Sequence, residues 1–94
     1  MKIINWNTDK NEILKKSRNI SFEDVVIEII SDNIIDTVKH PNPEKYPNQK
    51  MYIISIHDYI YVVPFIESET EIFLKTIIPS RKETKKYKTN ENKK

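Results

Sequence analysis

Ninety-four residues bound the chain to one small domain with a single limited core and room for one site at most. With no cysteine, disulfides, thiol nucleophiles and cysteine-based zinc sites are excluded; with no glycine, so are glycine-dependent phosphate loops and dinucleotide fingerprints. The formal charge of +2 is unevenly spread: from Arg81 to Lys94 seven cations face two carboxylates, a net +5, which leaves the preceding residues near −3 and the C-terminus as a basic tail.

Charged residues make up 32% of the chain, yet the apolar ones gather in periodic runs between residues 20 and 78, so a packed core is expected. Met1 to Asn7 lacks the apolar stretch of a signal peptide, and no run approaches the roughly 18 apolar residues of a membrane span. A soluble cytoplasmic protein without a membrane partner is expected.

Lys2 to Trp6 is short, apolar and β-prone, and reads as a first strand or an extended lead-in. Thr8 or Asp9 can cap a helix running to Ser17, with Ile13 and Leu14 facing inward and Lys10, Lys15 and Lys16 outward. In the next helix Ser21 and Asp24 stand at capping-box spacing and Ile20 can staple against Val25. Phe22, Val25, Val26, Ile29 and Ile30 follow the spacing of one buried helical stripe, which predicts that this helix lies on a sheet.

Ile34 to Val38 reads as a strand. Pro41, Pro43 and Pro47 bar regular structure from Lys39 to Gln49, a long surface loop. Met51 to Ile56, Tyr59 to Ile66 and Glu71 to Ile78 are three β-rich runs joined by links short enough for hairpins, which predicts an antiparallel meander. Pro64 inside the middle run implies a bulge or an unpaired amide, and a break in the strand is expected there. Ser80 to Glu83 forms a full capping box opening a short basic helix to about Tyr87. The resulting fold class is α+β: a meander sheet against two N-terminal helices, one domain over residues 1–87, and a basic, disordered tail over 88–94.

Tyr52, Tyr59, Tyr61 and Phe65, with cations nearby, can form a platform on which bases stack, or can simply be sheet core. His40 and His57 are the only histidines, and His57, at a hairpin tip, is the better candidate for moving a proton near neutral pH. The pair has no metal-ligand spacing, and neither metal nor organic cofactor is expected. Arg81 stands in the first turn of the last helix, beside amides that already favour an anion, and its guanidinium can grip a phosphate by two hydrogen bonds. Lys16, Lys82, Lys85 and Lys86 are candidates for electrostatic attraction of RNA. The scattered carboxylates show no acid–base pair.

Asn5-Trp6-Asn7 with Asp9-Lys10, then Ile20 to Asp24, Tyr61-Val62-Val63, and Ile77 to Lys82 leading to Tyr87, lie in an order that resembles the BrnT family of toxins, which share a RelE-like ribonuclease fold. The resemblance covers about residues 4 to 87. It departs where the family has Lys-His-Gly: here Ser17-Arg18-Asn19 puts Arg18 at the histidine and Asn19 at the glycine. Asparagine tolerates a left-handed turn, but arginine is a poor proton carrier. Lys50 stands where the family tends to carry arginine, and Arg81 matches the terminal arginine.

The resemblance implies that Arg81, Lys50 and Arg18 line one concave basic surface and hold the scissile phosphate of an mRNA. It also implies an antitoxin partner, usually a ribbon-helix-helix protein of the BrnA kind, through which the complex binds operator DNA. Two other readings stay open: a non-catalytic RNA-binding or regulatory module, and a protein-interaction module whose basic tail only keeps it in solution.

Overall fold

A computed structural model of the chain describes residues 2–85. Its elements are β1 (Ile3–Trp6), α1 (Thr8–Arg18), α2 (Phe22–Ile30), β2 (Ile34–Lys39), β3 (Gln49–Ile56), β4 (Tyr59–Glu67), β5 (Glu71–Leu74), β6 (Ile78–Pro79) and a terminal helix α3 over residues 81–85. The expected α+β class is what forms; no described helix is long and apolar enough to cross a membrane. The tail over 88–94 lies outside the described residues, as does Lys86.

Local chemistry sets the helix limits. Asn7, rather than Thr8 or Asp9, caps α1: its side chain accepts from the Lys10 N–H at 2.9 Å. An Asx side chain one position earlier satisfies the first-turn amides and lets Thr8 enter the helix. The helix ends at Arg18 because Asn19 takes the left-handed conformation, φ 53°, that breaks the repeat. In α2 both halves of the capping box form between Ser21 and Asp24.

Two expected inward positions are corrected. Leu14 is buried, whereas Ile13 is 62% exposed, because α1 presents only a narrow stripe to the core. In α2, Phe22 and Val25 are fully buried, Val26 and Ile29 half-buried, and Ile30 is 75% exposed at the helix end.

The sheet runs β1-β5-β4-β3-β2, with β6 also paired to β4. β1 lies parallel to β5, and the remaining pairs are antiparallel, as the meander requires. Alternation along β3 and β4 sends Tyr52, Ile54, Ile56, Val63 and Phe65 to the side of the helices, where they join Leu14, Ile20, Phe22, Val25, Leu74 and Ile77 in one core. The Tyr52 and Phe65 rings stack there at 4.0 Å. Ile53 and Ile60, of opposite parity, are buried on the other side.

Pro64 does not break its own strand: β4 is continuous from Tyr59 to Glu67. The irregularity appears in its neighbour. Phe65 faces Leu74 and Val62 faces Ile78, so three steps along β4 match four along the opposite edge, and the expected single strand over 71–78 divides into β5 and β6. With no amide donor, Pro64 leaves the ladder through its carbonyl alone, which accepts from the Lys75 N–H at 2.8 Å.

Candidate functional site

The interruption at residues 75–77 builds the site. It frees the Ile77 carbonyl from the ladder, and Arg18, the last residue of α1, donates to it from Nη1 at 2.9 Å. Arg18, Tyr59, Tyr61 and Pro79 then line an open groove of about 350 Å³. The two tyrosine rings meet edge to face, 5.6 Å between centroids at 63°, and both are half-buried. Pinned through one of its five N–H donors, the Arg18 guanidinium keeps others for a ligand, next to two aromatic rings.

Two further candidates lie two residues along the chain from lining residues, His57 before Tyr59 and Arg81 after Pro79. His57 and Asp58, φ 52° and 62°, form the two-residue turn between β3 and β4, with the positive φ at both positions that a tight hairpin of this twist needs. His57 is exposed, two residues before Tyr59. On the other side Pro79 pairs with Tyr61, and the Ser80 N–H donates to the Ile60 carbonyl at 2.9 Å, so Arg81 opens α3 at the same end of the sheet, exposed to solvent.

The capping box expected at Ser80 forms by half. The Glu83 N–H donates to Ser80 Oγ at 3.2 Å, but the Ser80 N–H is already used by Ile60, leaving nothing for the Glu83 carboxylate to accept. Thr84 completes the anchorage: its buried hydroxyl accepts from the Ile60 N–H at 2.8 Å and donates to the Ser80 carbonyl at 2.7 Å. Lys82 and Lys85 are exposed on α3, and Lys16 on α1, two residues before Arg18.

Lys50 is not brought to this groove. It stands opposite Phe65, near the start of β3, six residues from Ile56 and so about 20 Å along the strand from the Tyr59 end. Its Nζ lies 3.5 Å from the Glu67 carboxylate, which Lys2 holds more closely at 2.7 Å. The Lys2 hydrogen bond, with the charges of Lys2 and Lys50 adding to it against partial burial, keeps the Glu67 carboxyl below its ordinary pKa. Burial, reinforced by Glu67, pushes the nearby Tyr52 hydroxyl up.

Sequence reasoning named Arg18, Tyr61, Arg81 and His57 but not their scaffold. The Ile77 carbonyl and Pro79 carry no side-chain signal; the clue was Pro64, whose missing amide displaces the facing strand. Asn11 also went unnoticed. Buried on α1, it donates to Glu23 at 2.7 Å and accepts from the Phe22 N–H at 2.8 Å, clasping α1 to the start of α2. A lone polar residue on the inward stripe, three residues before Leu14, is its only sign. No protein-family model, curated protein or solved structure matches the chain.

Proposed function

We propose that this chain is the toxin of a type II toxin–antitoxin pair, an endoribonuclease that cuts mRNA and arrests growth on a RelE-like fold of the BrnT kind. The observation that carries this reading is the Arg18 guanidinium, fixed to the Ile77 carbonyl inside a groove lined by Tyr59 and Tyr61, four residues of chain before Arg81. Phosphoryl transfer needs little covalent help from a protein and much charge stabilisation, which two arginines supply. Tyrosine faces hold an unpaired base and so fix the backbone beside it.

In the reaction proposed, the ribose 2′-oxygen attacks the adjacent phosphorus, the bond from phosphorus to the 5′-oxygen breaks, and a 2′,3′-cyclic phosphate forms. Arg81 and Arg18 neutralise charge on the phosphate oxygens. The 2′-hydroxyl proton leaves to a base, for which His57 is the nearest imidazole along the chain, and the departing 5′-oxygen takes a proton from water. Lys50, outside the groove, is assigned to binding rather than to the cleavage centre; Lys16, Lys82, Lys85 and Lys86 attract the strand electrostatically. The cytoplasmic setting, a ribbon-helix-helix antitoxin of the BrnA kind and operator binding through that partner belong to the same proposal.

A second reading is favoured by one feature: arginine stands at position 18, where the resemblance expects histidine, and arginine binds phosphate without carrying protons. The chain would then hold RNA without cutting it. Induced expression of wild type and Arg81→Ala in a bacterium without the antitoxin separates the two. Growth arrest with new RNA 5′ ends from wild type, reduced about 10²- to 10³-fold in cleavage rate by Arg81→Ala, is expected. Healthy growth and intact RNA at verified expression would leave only the binding module.

A further inference from the structure

The loop joining β2 to β3, residues 40–48, carries a cluster that the groove does not use. It has no glycine and three prolines, and hydrogen bonds close it: His40 N–H to the Gln49 carbonyl at 3.1 Å, Tyr46 N–H to Asn42 at 3.0 Å and Gln49 N–H to Tyr46 at 3.2 Å. His40 Nδ1 accepts from the Asn42 N–H at 3.0 Å, which fixes the ring. The His40 and Tyr46 rings lie 4.4 Å apart, and Lys45 Nζ sits 5.5 Å from the Tyr46 centroid. Aromatic surface held rigid in an otherwise irregular loop lowers the entropy lost when a flat ligand stacks on it.

Charge at the loop's mouth points the same way. Lys39 and Lys50 stand directly opposite each other across β2 and β3, a like-charge pairing that destabilises a sheet. Glu67 answers Lys50 only in part, and no carboxylate pairs with Lys39 or Lys45 among the described residues, Glu44 of the same loop included. Local rules are broken in this way at functional or strained sites, and a bound phosphate is one compensation for paired lysines.

We infer that this loop is a second contact for single-stranded RNA: an unpaired base stacks on the His40–Tyr46 pair while Lys39, Lys45 and Lys50 hold neighbouring phosphates. The role rests on the reading of the chain as an RNA-binding protein and adds where the strand runs beyond the groove. The two places are separated by most of β3, about 20 Å. At about 3.4 Å per stacked nucleotide, roughly six nucleotides join them.

Fluorescence anisotropy of the whole chain with a labelled, unstructured 12-nucleotide RNA is the test, its riboses 2′-O-methylated so that no attacking hydroxyl remains. Tyr46→Ala should weaken binding on the order of tenfold. Lys39→Gln with Lys45→Gln, surface changes that leave the fold alone, should lower the slope of log affinity against log salt by about 1.4. If wild type binds and Arg18→Gln weakens it while the loop variants bind as wild type does, the loop contact is wrong and the groove survives. If wild type binds no RNA, both fall. Loop variants that keep RNA but lose a poly-glutamate probe would overturn the inference in favour of an acidic protein partner.

Discussion

Asn11 does the work of a short linker between the two helices. Its amide oxygen accepts from the buried Phe22 N–H, and its amide nitrogen donates to Glu23, whose carboxyl that hydrogen bond holds below its ordinary pKa. Replacement by alanine leaves a buried amide unpaired, so Asn11→Ala should lower unfolding stability by about 1–3 kcal/mol, read from urea midpoints at neutral pH. A midpoint within error of wild type would mean that water replaces the asparagine. Residue by residue, legibility followed chemistry: Arg81 and Arg18 stood out as cations in telling positions, whereas Asn11 and the Ile77 carbonyl act through partners distant in sequence. Ile13 and Leu14 are equivalent by composition, and only the narrow stripe that α1 turns to the core separates them.

At the scale of elements, the junction after α1 decides where Arg18 ends up. Asn19, at φ 53°, turns the chain immediately after it, so Arg18 finishes the helix with its side chain against Ile77. Glycine at position 19 should match or exceed wild-type stability, since it carries no Cβ to strain, while Asn19→Val should cost about 1–2 kcal/mol. Thermal unfolding of the pair checks this, and equal losses from both would detach the turn from the backbone argument. Most elements were readable from periodicity and proline, including the capping box of α2, the loop of three prolines and the two-residue hairpin at His57. The division of β5 from β6 was not, because a proline announces itself in its own strand while the displaced residues belong to the neighbour. The half-formed cap at Ser80 escaped for a related reason: the competing acceptor, Ile60, lies twenty residues earlier.

Across the whole molecule, Glu67 ties β4 to Lys2 ahead of β1 and to Lys50 in β3. Its carboxyl is more acidic in the folded chain than in the unfolded one, so its contribution is fully present above its ordinary value of 4.5 and fades as pH falls below that through the depressed value. Glu67→Gln should therefore lower stability near neutrality and lose less than wild type between pH 6 and pH 3. Glu23 titrates in the same direction and remains in the variant, so the acid loss should shrink rather than vanish. Urea midpoints at the two pH values decide it, and parallel losses in both proteins would assign the acid sensitivity elsewhere. The class and the sidedness of the sheet were legible because alternation and helical stripe both point to one core. The parallel placement of β1 was not, since four residues carry no register signal of their own.

That placement sets an order of events during synthesis. Ile3 pairs with Glu71, so β1 waits for β5 to be made before it can be hydrogen-bonded. At a translation rate of about 5–20 residues per second, the separation of 68 residues takes roughly 3–14 seconds. Until then Trp6 has α2 to rest on, where Phe22 is the ring it stacks on at 5.9 Å in the finished fold. The Arg18 contact waits for the same stretch of chain, because residue 77 lies just beyond β5, so a nascent chain cannot assemble its basic groove before β5 and β6 have been made.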